Sequence, residues 1–200
     1  MIPSEEHKER MYPMDFEEFL WAIGDDSTVS LIRNNYLKRK SLGNIAHRAV
    51  MKKFRVYMVV GGMPQAVCDY VEGKSYQEID FTKREIISLY EEDLLKYDDN
   101  YNIRASAVFH TIPEQLMNRN SHFKMSKIDK SARYREYVNS IRFIEESMMG
   151  NLCINVTAPM QPLELYAEHG NFKLYMSDTG LLITQLMKSE IGRASCRERV

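Results

Sequence analysis

Gly73-Lys74-Ser75 is a triplet whose residue types could do chemistry. In that order the three close a phosphate-binding loop, which needs a Gly-x-x-x-x-Gly-Lys-Ser/Thr frame after a strand so that backbone N–H groups can wrap the phosphates. The frame fails, because Cys68 stands where the first glycine belongs and the preceding segment has a helical period. Glu91, Glu92 and Asp93 could serve as paired carboxylates for acid/base work or metal. Consecutive helical positions point in different directions, however, and such a run reads as a solvated face. The histidines at 7, 47, 110, 122 and 169 never take the i, i+4 spacing of two ligands on one helix, and no glycine elbow surrounds a serine. Cysteines at 68, 153 and 196 show no paired spacing. The sequence therefore assigns no catalytic, cofactor-binding or metal-ligating residue.

A charge signal is stronger. Between Arg119 and Arg135 the cations Arg119, Lys124, Lys127, Lys130, Arg133 and Arg135 face a single acid, Asp129. Such a stretch could neutralise phosphates if it leads into a recognition helix, or dock on an acidic protein. Glu136, Glu145 and Glu146 further along favour the second reading or a plain wet surface. Contact with DNA or a protein partner through Lys124, Lys127, Lys130, Arg133 and Arg135 is the expectation, with the choice open.

The elements that must position these residues follow from periodicity. Asp15 and Glu18 form a capping box for a helix closed by Gly24, with Phe16, Phe19, Leu20 and Ile23 on one stripe. Helices are expected over 28–39 and 45–60. Gly61-Gly62-Met63-Pro64 then turns a sharp corner into another helix, because glycine ends one and proline suits the first turn of the next. A long helix is expected from Tyr76 to about Tyr97, then a helix over 103–117, an extended piece at 122–124, a short helix near 126–130 and a longer one to Gly150. Leu152–Val156 and Phe172–Met176 read as strands around a proline-punctuated loop. Helix, helix, helix, strand, loop, strand is the order of a winged helix-turn-helix.

Composition agrees with a folded chain: 44% of residues are hydrophobic and the formal charge is −1, which excludes a whole-molecule field toward nucleic acid or membrane. No apolar run approaches the roughly 20 residues of a membrane span, and residues 1–10 lack the apolar core of a signal peptide, so no membrane partner and a cytoplasmic location are expected.

Several of these punctuation points also carry a family likeness. YPMDFEEFLWAIG (12–24), GGMPQAV (61–67), IISLYEEDLLKY (86–97), IPEQL (112–116) and FKLYMSDTGLL (172–182) resemble, in order, prokaryotic AAA-type ATPases bearing the C-terminal domain of unknown function 4143. The resemblance implies an internal fragment, inactive alone, that lacks the P-loop core and the C-terminal domain. ATP and Mg would be cofactors of the intact family only. It further implies a helical lid-like segment of an ATPase module at 1–72 and a connecting helix at 73–98. A winged-helix-like domain at 99–160 and the start of a truncated restriction-endonuclease-like α/β domain at 161–190 would follow. The expected fold class is mainly α with a small β component, and Asp178 is expected to act as a turn or cap before Gly180.

The last ten residues, IGRASCRERV (191–200), are similar to the in-frame translation of a widely used sequencing adapter and are read as a tail derived from it. Three arginines and one glutamate leave with them, so 24 basic against 27 acidic side chains give −3. Two other readings stay open: a self-standing winged-helix DNA-binding regulator, and a helical protein-interaction module.

Overall fold

In the computed structural model, which describes residues 9–95, 99–118 and 122–194, the first helix begins where a carboxylate can cap it. Asp15 accepts from the Glu18 amide at 2.8 Å and Glu18 returns a bond to the Asp15 amide at 2.9 Å, opening α1 (Phe16–Ala22). Asp25 caps α2 (Asp26–Leu37) through the Thr28 amide, which starts this helix two residues before the expected position. Helix α3 (Asn44–Val60) stops at Gly61, whose φ of +86° no side chain tolerates easily, and Pro64 opens α4 (Pro64–Val71). The GGMP corner is therefore as expected. Lys74 pairs with Asp69 at 2.6 Å, while Ser75 and Glu78 cap α5 (Tyr76–Leu95), so the lysine and serine of the phosphate-loop-like triplet hold helix ends.

Helix α6 (Asp99–Met117), a short 3-10 turn at Met125–Lys127 and helix α7 (Tyr134–Glu146) lead to an antiparallel pair, β1 (Gly150–Val156) and β2 (Ala167–Met176). Register runs from Gly150 opposite Met176 to Val156 opposite Ala167, with an irregularity between Ile154 and Asn155. Strand β2 begins at Ala167 rather than Phe172, because pairing resumes at Glu168 beyond the His169-Gly170-Asn171 excursion. The hairpin joins residues on both sides of position 160. Just before the 3-10 turn, the Phe123 amide donates to the Phe172 carbonyl at 2.7 Å, and the two rings stack at 5.3 Å. Helix α8 (Thr179–Ala194) closes the described chain and takes in the first four residues of the terminal decapeptide. Arg119, Lys96, Tyr97 and Cys196 lie outside the described residues.

The described residues are thus mainly helical, with a small two-stranded antiparallel sheet. Two buried clusters hold them. Phe19, Val60, Ala66, Val67 and Ile79 form the smaller, while Phe109, Ile112, Ile141, Ile144, Phe172 and Leu174 lie at the centre of the larger. Helix α5 belongs to both, through Ile79 on one side and Ile86, Ile87 and Leu94 on the other.

Candidate functional site

The basic stretch is positioned by a buried glutamine. Gln115 on α6 donates to the Lys124 carbonyl at 2.8 Å and accepts from the Lys124 amide at 3.1 Å, so both main-chain groups of Lys124 are gripped while its side chain stays exposed. Lys127, on the 3-10 turn, pairs with Glu114 at 2.7 Å. Asp129, itself exposed, accepts from the Ser131 hydroxyl and amide, hydrogen bonds that hold its carboxyl below the usual range. Lys130 is exposed, Arg133 occupies the cap position of α7, and Arg135 is exposed in its first turn. Lys124, Lys130, Arg133 and Arg135 form no ion pair among the described residues, whereas Lys127 is already committed. Arg104 of α6 does not join them: it donates to the Glu136 carbonyl at 3.0 Å and lies 5.6 Å over the Tyr137 ring, locking α7 in place.

The connection between β1 and β2 has the opposite character. No lysine or arginine occurs between Arg142 and Lys173, while Glu164 and Glu168 do. Val156, Met160, Leu163 and Leu165 are exposed there, Leu165 to 77%.

A second cluster sits where the GGMP corner meets α8. Asp178, 3% exposed, accepts from the Gly62 amide at 2.5 Å and from the Leu181 amide at 2.8 Å. The second bond caps α8, as expected, and the first reaches across the fold. A methyl on Gly61 would strike the Asp178 carboxylate, and one on Gly62 would strike the Met14 carbonyl, whose residue also donates its amide to Gly62 at 2.7 Å. Burial pushes the Asp178 carboxyl up, against the amide bonds from Gly62 and Leu181 and the charge of Lys83. Lys83, equally buried, has its ammonium pushed down by burial and donates to the Val59 carbonyl at 2.8 Å. Asp80 bridges Arg84 and Thr184 at 2.7 Å each. Asp178, Lys83 and Thr184 are enclosed and Asp80 and Arg84 partly so, and Asp178 and Asp80 fasten α8 to the corner and to α5.

Other candidates disperse. Glu91 faces His110 at 3.6 Å, while Glu92 and Asp93 are exposed. Cys68 and Cys153 are free and exposed, and among the described residues no group of three His, Cys, Asp or Glu side chains could hold a metal ion. No helix of the described residues is long and apolar enough to cross a membrane.

One signal escaped the motif search because it is an absence. From Ser27 to Cys68 the sequence contains no aspartate or glutamate but eight lysines and arginines, and the near-neutral total conceals it. A running charge count would have found it.

The described residues thus combine a mainly helical fold, two buried cores and an exposed basic turn. Residues 51–191 match the domain of unknown function DUF8612, and the chain belongs to that family. This match corrects the resemblance to AAA-type ATPases bearing the domain of unknown function 4143: the family is a different one, and of the motifs that carried the likeness, those at 12–24, 61–67 and 172–182 hold a capping box, a close backbone approach and a helix cap. ATP, Mg and the missing ATPase core entered only through that resemblance and have no remaining support. No curated protein and no solved structure matches the chain.

Proposed function

We propose that the chain is a protein-interaction module whose second half, from α6 to β2, is a winged-helix-like unit that docks an acidic protein surface. Support for the unit comes from its order. Helix α6, the extended Phe123 bonded to β2, the 3-10 turn, α7 and the β1–β2 hairpin follow one another as in a winged helix, with a single short turn in place of the usual second helix.

One observation favours protein over DNA. A winged helix that embraces a duplex neutralises phosphates with both its recognition helix and its wing. Here the wing holds Glu164, Glu168 and exposed Met160, Leu163 and Leu165, with no cation. An apolar tip and a basic turn within one unit have the composition of a protein-docking core and rim. Lys124, Lys130, Arg133 and Arg135 would steer the partner, and Leu163 and Leu165 would anchor it.

The test is affinity capture from a nuclease-treated lysate. A discrete protein should be retained by the wild-type chain and released by Arg133→Glu with Arg135→Glu, and separately by Leu165→Glu. Retention that disappears on nuclease treatment, or steep salt-dependent binding of duplex DNA abolished by the same arginine changes, would replace this reading with that of a winged-helix DNA-binding regulator.

A further inference from the structure

The acid-free stretch from Ser27 to Cys68 covers α2 after its first residue, Asp26, the turn after it and α3, and neither the winged-helix-like unit nor the Asp178 corner uses its charge. It carries +8 in a chain of −1, leaving −9 for everything else. Two of the eight cations are spent locally: Arg33 on Glu17 at 2.5 Å, and Lys53 on Asp25 and the Thr28 hydroxyl. Lys38, Arg39, Lys40, Arg48, Lys52 and Arg55 are all exposed and form no ion pair among the described residues.

Their arrangement is regular. The Lys53 contacts tie the C-terminal half of α3 to the start of α2, and residues 38–43 connect the two helices. Arg48, Lys52 and Arg55 stand at i, i+4 and i+7, one above another on a single face at about 6 Å per step. Lys38, Arg39 and Lys40 lie at the end of α2 and in the connection that leads into α3. Tyr36, 80% exposed, stands just before them, with Leu37 and Ile45 exposed alongside.

We propose that α2, the connection after it and α3 form a docking surface for single-stranded nucleic acid, with phosphates along the six cations and a base on the Tyr36 ring. The charge complementarity is of one sign over the whole stretch. Protein-docking surfaces mix signs to fix register, whereas a row of cations without an acid suits a polymer that repeats one charge. An exposed aromatic beside such a row is a stacking platform, and a duplex hides the base faces it would take. The site is separate from the basic turn at 124–135 and does not depend on the protein-docking reading.

Fluorescence anisotropy with a labelled oligothymidylate tests it. Six phosphate contacts to a single strand give a slope of log affinity on log salt of about −4, and removing three gives about −2. Arg48→Ala, Lys52→Ala and Arg55→Ala together should produce that halving, with superimposable circular-dichroism melts because the three side chains are exposed. Tyr36→Leu should weaken oligothymidylate about tenfold, the loss of one stacked base, and leave binding of poly-glutamate unchanged. Arg133→Glu with Arg135→Glu should change nothing, which separates this site from the one proposed above. Absence of binding at low salt, an unaltered slope in the triple variant, or poly-glutamate or duplex DNA bound as tightly as the single strand would each overturn the proposal.

Discussion

Asp178 takes hydrogen bonds from two amides, one of them 116 residues away, in a setting that raises its proton affinity by burial. Removing the acceptor in Asp178→Ala strands both amides, at about 3 kcal/mol, a loss that urea unfolding would register. Its pH dependence has a definite sign. A carboxyl whose folded value lies above its unfolded value gives its full contribution below the unfolded value and loses it as pH rises through the folded one. The advantage of wild type over Asp178→Asn should therefore shrink as pH rises out of the acid range. Asp25 behaves oppositely. Burial pushes its carboxyl up, but bonds from Lys53, Thr28 and Ser27 outweigh that and hold it well below its ordinary value. Its contribution is present above the unfolded value and fades as pH falls, so Asp25→Asn should flatten the acid limb of the stability profile. At Gly62, alanine would drive a methyl into the Met14 carbonyl, costing about 3 kcal/mol, measurable as a drop in Tm.

The helices themselves were largely legible in the sequence, since Asp15 with Glu18 and Gly61 with Pro64 are local signals whose geometry depends on neighbours only a turn away. Pairing was less so. The Phe172–Met176 strand was readable from the aromatic Phe172 and Tyr175 and the apolar Leu174 and Met176, but its extension to Ala167 depends on Asn155 and Val156 opposite, which no local pattern reports. Half of the role of Asp178 was visible as a cap, and the half that joins Gly62 is non-local. The basic turn at 124–135 is visible in the sequence as a local excess of cations over one acid, while the cations of α2 and α3 are masked by a near-neutral total charge. Packing also leaves one element imperfect. Gln185 of α8 is 9% exposed, and neither its amide nitrogen nor its oxygen has a hydrogen-bond partner. Gln185→Leu should stabilise the protein by about 1 kcal/mol, read as a higher urea midpoint. Gln115→Leu should do the reverse by about 2 kcal/mol, since it releases both main-chain groups of Lys124.

On the scale of the whole molecule, the shared helix α5 and the Asp178 contact leave neither core free to melt alone. The one tryptophan, Trp21, sits at the end of α1 beside the smaller core, whereas far-ultraviolet dichroism sums over all helices. The two probes should trace coincident thermal transitions, and separate midpoints would show that the cores are independent. Because the carboxylate that fastens the GGMP corner is encoded so late in the chain, the early helices leave the ribosome with the Gly62 amide still lacking its partner. The nascent helices before the corner must wait for α8 to emerge before they can lock, and a translation arrest before residue 178 would hold them in a protease-sensitive state.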